Sequence, residues 1–397
     1  MADLSGGTST SARSRWLSVG RSADPDSRRA GAEATRQAIQ GEDPKILVVF
    51  GSADYDAAAL IAGIRQAAPD VPIVGCSTRG EITPDGPADR TVVVTAIGGP
   101  GFTISTAFAE DAGSRQREAG DLVAQCAADV PDLRYKVLFL LNDGFIRFQE
   151  NILRGAYGVV GASVPLFGGS AAAKSPAECY QIHNDRVLHN SVVAMTIASD
   201  APIGIGVRHG WHAVGDAMVV THSDQARVFT LDNEPALDAY LHRLNAPPEA
   251  YRDPEAFSRW TLTRPLGVQR RSGLAAKNIS HEVDFDGRSI GGGAEILQGA
   301  LLWATEGCAD SILDAVEEAC QEAIDALQDN PPIGLFTLSC LGCRAVLGDD
   351  GIKQEVSLIS GRAKGTPFAG FYTLGEIART RGIEGFHNQT FVVLALS

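Results

Sequence analysis

One stretch constrains the fold more than any other. Gly75-Cys76-Ser77-Thr78-Arg79-Gly80-Glu81-Ile82 returns near the C-terminus as Gly370-Phe371-Tyr372-Thr373-Leu374-Gly375-Glu376-Ile377. Both follow a Pro, both carry Thr three residues after the first Gly, and both finish on Gly-Glu-Ile. A looser copy, Gly168-Gly169-Ser170-Ala171-Ala172-Ala173-Lys174, lies between them and also follows a Pro. An apolar run precedes each copy, at 46–50, 137–141 and 333–338; a β-rich run follows each, at 91–97, 191–197 and 390–396. One unit (strand, helix or loop, Gly-rich crossing segment, strand) is therefore used three times. The separations are unequal, which points to duplication inside one globular body rather than a solenoid. Glycines at a strand end let a backbone approach a neighbour or a ligand closely. Brought together, the three segments would form a pocket lined by main-chain donors and by Ser77, Thr78, Glu81, Tyr372 and Glu376.

The expected class is α/β in the α+β sense: two intimately associated halves, with mixed sheets flanked by helices. At 397 residues the chain can bury two proper cores. No apolar run approaches the ~18 residues a membrane span needs, so no membrane insertion is expected. A formal charge of −14 argues against nucleic acid as a partner. Seven scattered cysteines fit reduced thiols in a cytoplasmic protein rather than a disulfide framework. Residues 1–15 lack a signal-peptide core and read as a flexible tail.

Order begins with a strand at 16–20, after which Asp24-Pro25 opens a helix. Asp54 or Asp56 caps a second helix. Gly98-Gly99-Pro100-Gly101 joins strand to strand and reads as a turn, not a phosphate loop. Residues 179–182 and 187–197 read as paired strands around a turn at Asn184-Asp185. Residues 245–254 read as a polar loop, with strands following at 262–268 and either side of Gly291-Gly292-Gly293. The clearest helix spans 310–327, where Ile312, Leu313, Val316, Cys320, Ile324 and Leu327 share one face.

The segment at 75–82 resembles the signature of the FIST sensory domain family. So do His209-Gly210-Trp211 with Gly215 and Val220-Thr221, Leu231-Asp232 with Pro235-Ala236, and the closing Gly370-Phe371-Tyr372-Thr373, Gly375-Glu376 and His387-Asn388-Gln389-Thr390. The resemblance runs from about Leu17 to Leu396 and implies an N-terminal FIST domain over 16–230 and a C-terminal one over 231–397. It further implies an intracellular sensor that binds small ligands such as amino acids, while some relatives look like haem-based nitric-oxide sensors. Two departures stand out. The family's Cys-x-Gly-Arg pattern appears as Cys340-Leu341-Gly342-Cys343, with Arg344 one place late, and the middle segment has no acidic residue after Ala171. With no output module in the sequence, the signal is expected to leave through a separate protein such as a histidine kinase or cyclase.

Glu81 and Glu376 are candidate partners for a ligand's ammonium, or else hold neighbouring loop amides. Arg79 and Arg344 are candidates for its carboxylate. Tyr372 offers an aromatic wall with one hydroxyl. Cys76, Ser77, Thr78, Ser170, Thr373 and Asn388 complete the candidate ligand-binding set. His387 and His209 are the candidate axial ligands should haem be bound, although no cofactor is expected on balance. The Cys340-x-x-Cys343 pair lacks the two further ligands of a structural zinc and reads as reduced thiols. No nucleophile elbow is present, so an enzyme, including a thiol-dependent one built on Cys76, ranks behind a binding protein.

Overall fold

The computed structural model describes residues 14–270, 273–277, 279, 283–291, 295–380 and 385–397. Its first unit runs β1 (Trp16–Ser22), α1 (Ser27–Ala38), β2 (Pro44–Ser52), α2 (Ala57–Ala67), β3 (Ile73–Thr78), a hairpin of β4 (Glu81–Thr83) and β5 (Gly86–Ala88), and β6 (Val92–Gly98). The second repeats that order: β7 (Phe102–Ala109), α3 (Gln116–Ala124), β8 (Tyr135–Asn142), α4 (Glu150–Val160), β9 (Leu166–Ser170), β10 (Gln181–His183), β11 (Arg186–Leu188) and β12 (Val192–Ser199). The third begins with β13 (Ile203–Arg208). After an insert it continues with α5 (Ala309–Asp325), β14 (Gly334–Cys340), α6 (Leu341–Ala363), β15 (Phe368–Thr373), β16 (Glu376–Arg379), β17 (Phe386–His387) and β18 (Phe391–Leu396).

Each unit builds a sheet of its own, and each sheet ends in a hairpin borrowed from another unit. The orders are β1-β6-β2-β3-β10-β11, β7-β12-β8-β9-β16-β17 and β13-β18-β14-β15-β4-β5. The apolar runs are the central strands β2, β8 and β14, each parallel to the Gly-rich strand and antiparallel to the β-rich run. Both faces of a central strand are covered, so Ile46, Leu47, Val48, Val49 and Phe50 are all fully buried. The register is set alike in all three. Leu47 N, Leu138 N and Leu335 N donate to the carbonyls of Pro72, Pro165 and Pro367 at 2.9, 3.0 and 3.0 Å.

The first glycine of each segment has a shared reason. A Cβ on Gly75, Gly168 or Gly370 would lie 2.4, 1.9 or 1.5 Å from the carbonyl oxygen of Val49, Leu140 or Thr337 on the neighbouring strand. A side chain there would force the two strands apart. The rings of Phe139 and Phe336 meet at 5.3 Å where the sheets converge, with Phe50 at 6.4 Å from Phe336.

The insert carries its own antiparallel sheet, including strands His212–Asp224, Arg227–Leu231, Leu266–Arg270, Gly273–Lys277 and Leu301–Glu306. Its core holds Met218, Leu237, Tyr240, Phe257 and Leu302. The expected division at 230/231 lies at the end of the strand Arg227–Leu231, and the third structural unit begins at Ile203.

Several local expectations change. Asp26, not Asp24, caps the first helix: its Oδ1 accepts from Arg29 N at 2.8 Å, while Asp24 accepts from Asp26 N at 2.9 Å. Asp56 caps the second helix. The 245–254 loop contains a short 3-10 turn with Ala250 buried, and Asp253-Pro254 starts a helix over Pro254–Thr261. The strand expected at 262–268 therefore begins at Leu266. The segment read as one strand over 187–197 divides between β11 and β12, which lie in different sheets. Gly292 and Gly293 lie outside the described residues, as do residues 1–13 of the expected tail. Arg15, assigned to that tail, is fixed by Asp200 and stands 4.0 Å over the Phe102 ring.

Candidate ligand-binding site

The three Gly-rich segments do converge, and they spend their polar groups on one another. Tyr372 N donates to Gly80 O at 3.0 Å, Ser77 N to Tyr180 O at 2.9 Å, and Ser170 N to Gly375 O at 2.8 Å. These are equivalent bonds, each linking a Gly-rich strand to the residue just before a borrowed hairpin. Thr373 Oγ1 donates towards Ser170 O and Gly375 O and accepts from Ser170 N at 2.9 Å. Ser170 Oγ donates to Gln149 at 2.7 Å, and Ser77 Oγ accepts from Tyr180 N at 3.1 Å. Cys76, Ser77, Thr78, Ser170, Tyr372 and Thr373 are all at most 1 % exposed. The expected pocket at this junction is thus corrected: the segments meet as a hydrogen-bonded seam.

The carboxylates belong to that seam. Glu81 accepts from Thr78 Oγ1, Thr91 Oγ1 and Thr91 N (3.2 Å), tying the borrowed hairpin to the start of β6. Glu376 accepts from Thr390 N at 3.2 Å, at the start of β18. In the middle unit the same place is held by Gln181, whose Oε1 accepts from Ser191 Oγ at 2.5 Å. Gln181-Ile182 faces Cys76-Gly75, as Glu376-Ile377 faces Gly169-Gly168 and Glu81-Ile82 faces Phe371-Gly370. An amide therefore makes, in the middle unit, the contact that an acid makes in the other two. In the middle copy the position is displaced along the chain and the acid is replaced by an amide. Gln-Ile ten residues before Ser191, matching Glu-Ile ten before Thr91, was the sequence signal for it. Burial pushes Glu81 up to about 7 against its hydroxyl partners, and burial together with Cys340 holds Glu376 well above the ordinary range. Glu355, which sequence reasoning missed, accepts from Ser339 Oγ at 2.7 Å and Tyr372 Oη at 2.8 Å; burial pushes it up to about 7.

Arg79 is exposed. Arg344 donates to Arg79 O at 2.6 Å and to Asp89 at 2.9 Å, and stacks 4.7 Å over the Tyr372 ring. It staples α6 to the first unit's hairpin, so its expected role towards a ligand carboxylate is replaced by an internal one. Asn388 is 8 % exposed, and its Oδ1 has no hydrogen-bond partner.

A cleft of about 1540 Å³ lies elsewhere, between the second unit, β13, the insert and the β16–β17 hairpin. His209, Lys277, His387 and Thr390 line it, alongside apolar Leu153, Ile205, Leu274 and Phe386. Its charged lining comprises Arg134, Lys136, Arg154, Arg208 and Lys277 against Glu150, Glu295 and Glu322, an excess of positive charge in an acidic chain. Lys277 is 4 % exposed and donates to Phe386 O at 3.3 Å. Glu150 Oε1 accepts from Glu295 N at 2.9 Å, while its Oε2 is shielded and has no hydrogen-bond partner.

Of the sequence-based candidates, His209 and His387 reach this cleft. His209 Nε2 meets Leu274 O at 2.6 Å and its Nδ1 accepts from Trp211 N at 3.3 Å; His387 Nε2 meets Ala378 O at 2.9 Å. Burial, reinforced by Lys277 and His209, pushes His387 down to about 4, so it is neutral near pH 7. Axial haem ligation through Nε2 does not fit this arrangement, since each Nε2 is engaged by a main-chain carbonyl. Among the described residues, no group of three or more His, Cys, Asp or Glu is placed to hold a metal ion, and no helix is long and apolar enough to cross a membrane.

The FIST N domain family matches residues 45–234 and the FIST C domain family residues 236–379. Two uncharacterized proteins of Mycobacterium tuberculosis, from strains CDC 1551 / Oshkosh and ATCC 25618 / H37Rv, are each 26% identical over 400 residues, covering 94% of this chain and 97% of the relative. Among solved structures, cyanuric acid hydrolase from A. caulinodans is similar over 46% of this chain and 72% of its own, at 12% identity and a TM-score of 0.26. PurLQS from Thermotoga maritima is similar over 97% and 72%, at 10% identity and a TM-score of 0.24. Likenesses this weak bear on neither fold nor function.

Proposed function

Because the chain belongs to the FIST family, with both domains matched in order, we propose that it senses a small amino-acid-like ligand bound in the cleft of His209, Lys277 and His387. FIST domains are sensory domains that bind small ligands in signalling proteins. The observation that carries the finer reading is the pair of opposite charges on the cleft wall. Glu150 offers a shielded carboxylate oxygen with no hydrogen-bond partner, suited to an ammonium, and Lys277, itself donating to Phe386 O, places a positive charge on the same lining that would attract a carboxylate. A zwitterion carries a group complementary to each charge. The response passes to a separate output protein, a histidine kinase or a cyclase being the expected kind.

Calorimetric titration with a panel of amino acids tests the reading. For a ligand that binds, Glu150→Gln and Lys277→Met should each weaken affinity by about ten- to a hundredfold, the loss of ~1.5–3 kcal/mol for a charge-assisted contact. Glu376→Gln should leave affinity unchanged. The reverse pattern would move the ligand to the junction of the Gly-rich segments. A Soret band on adding haem, with no heat from any amino acid, would replace the reading with a haem sensor.

A further inference from the structure

The third unit holds a feature its siblings lack. Cys340 ends β14 and caps α6, its Sγ accepting from Gly342 N at 3.4 Å, and Cys343 stands three residues on, its thiol donating to Gln389 Oε1 at 3.9 Å. We propose that Cys340 and Cys343 form a reversible dithiol–disulfide site that exchanges with small-molecule disulfides. The inference does not depend on the ligand cleft.

Three observations converge on it. The pair opens the short helical piece 341–347 that precedes the kink at Gly348, and the Gly342 amide points at Cys340 Sγ, a contact that favours its thiolate. The surroundings are polar beyond what two packed thiols require. The Glu376 carboxyl contacts Cys340, and its Oε1 has no hydrogen-bond partner, in a side chain fully closed to solvent. Gln389 is 1 % exposed; its Nε2 also lacks a partner, lies against Gly342, and its Oε1 accepts from Cys343 at 3.9 Å. Finally, the two thiols are made unequal: the Cys343 thiol draws Cys340 down to about 6, and Cys343 is held well above the ordinary range. Unequal thiols suit an attacking and a resolving cysteine. Cys76, Cys179 and Cys320, by contrast, are simply pushed up by burial.

The chemistry balances as a two-electron exchange. Cys340, a buried residue with 6 % of its surface exposed, attacks as its thiolate one sulfur of a disulfide RSSR; a mixed disulfide forms and RS⁻ leaves, taking up the proton Cys340 gave up. Cys343 then attacks Cys340 sulfur and expels the second RS⁻. The Cys343 proton reaches that leaving group by way of the neighbouring Glu376 carboxyl. Two thiols of the protein are oxidised, and one disulfide is reduced to two RSH.

Oxidised glutathione is the probe, applied to native protein in a Cys308→Ser background that removes the exposed thiol. Acid quenching, alkylation and peptide mapping should find a Cys340–Cys343 disulfide and a protein lighter by two hydrogens. With Cys343→Ser added, the reaction should stop at a glutathione adduct on Cys340. Circular dichroism melting confirms that each variant is folded. Full alkylation of both cysteines in folded, oxidant-treated protein would overturn the proposal. So would the same adduct, without the disulfide, whether or not Cys343 is present.

Discussion

Replacing Glu81 by Gln tests whether the acids of the seam act through shape or through charge. Burial pushes Glu81 from an ordinary 4.5 up to about 7, so the folded protein holds a proton that the unfolded chain releases. Below pH 4.5 both states are protonated and the group contributes nothing to the pH dependence. As pH rises from 4.5 to 7 the unfolded chain ionises first, and folding stability falls; above 7 the loss is complete. Its full size is on the order of 3 kcal/mol, from about 1.4 kcal/mol per pH unit across that window. Gln cannot ionise, and Gln181 already holds the equivalent place. Glu81→Gln should therefore fold, and its stability relative to wild type should rise by up to about 3 kcal/mol between pH 4 and pH 8. Urea titrations at one-unit pH steps, followed by tryptophan fluorescence, read this difference directly. The contribution of Glu355, which titrates in the same sense, cancels between the two proteins. Parallel pH profiles would show that Glu81 titrates normally. A variant unfolded at pH 8 would show that the ionised carboxylate, rather than the shape it shares with Gln181, holds Thr78 and Thr91.

Two further outcomes follow from the same geometry. Gly370→Ala places a methyl against Thr337 O and should cost on the order of 3 kcal/mol, whereas Gly361→Ala, with open space around it and a helical backbone, should stabilise slightly; chemical denaturation separates them. His387 is pushed down to about 4, so stability should fall as pH drops from 6.5 to 4, when the unfolded chain takes a proton that the folded chain refuses. His387→Gln should flatten that acid limb in thermal melts at stepped pH.

The sequence alone determined the threefold repeat, the three central strands and their partners, because these depend on apolar runs and on glycines whose spacing is local. It also determined the family. Which unit each hairpin would join was decided only in three dimensions: β4, β10 and β16 are short strands whose own sequences are compatible with any sheet edge, and only the packing of three units selects a neighbour's. That exchange converts Glu81, Tyr372, Thr373 and Glu376 from pocket-lining candidates into a closed seam. It also gives Gln181 the position that an acid holds in the other two copies. The cleft had no sequence signature, for Glu150, His209, Lys277 and His387 come from four separate elements and meet only when the insert folds back on the second unit. Spacing along a chain records what lies within a strand or a helix turn; proximity across sheets is set by how the units dock.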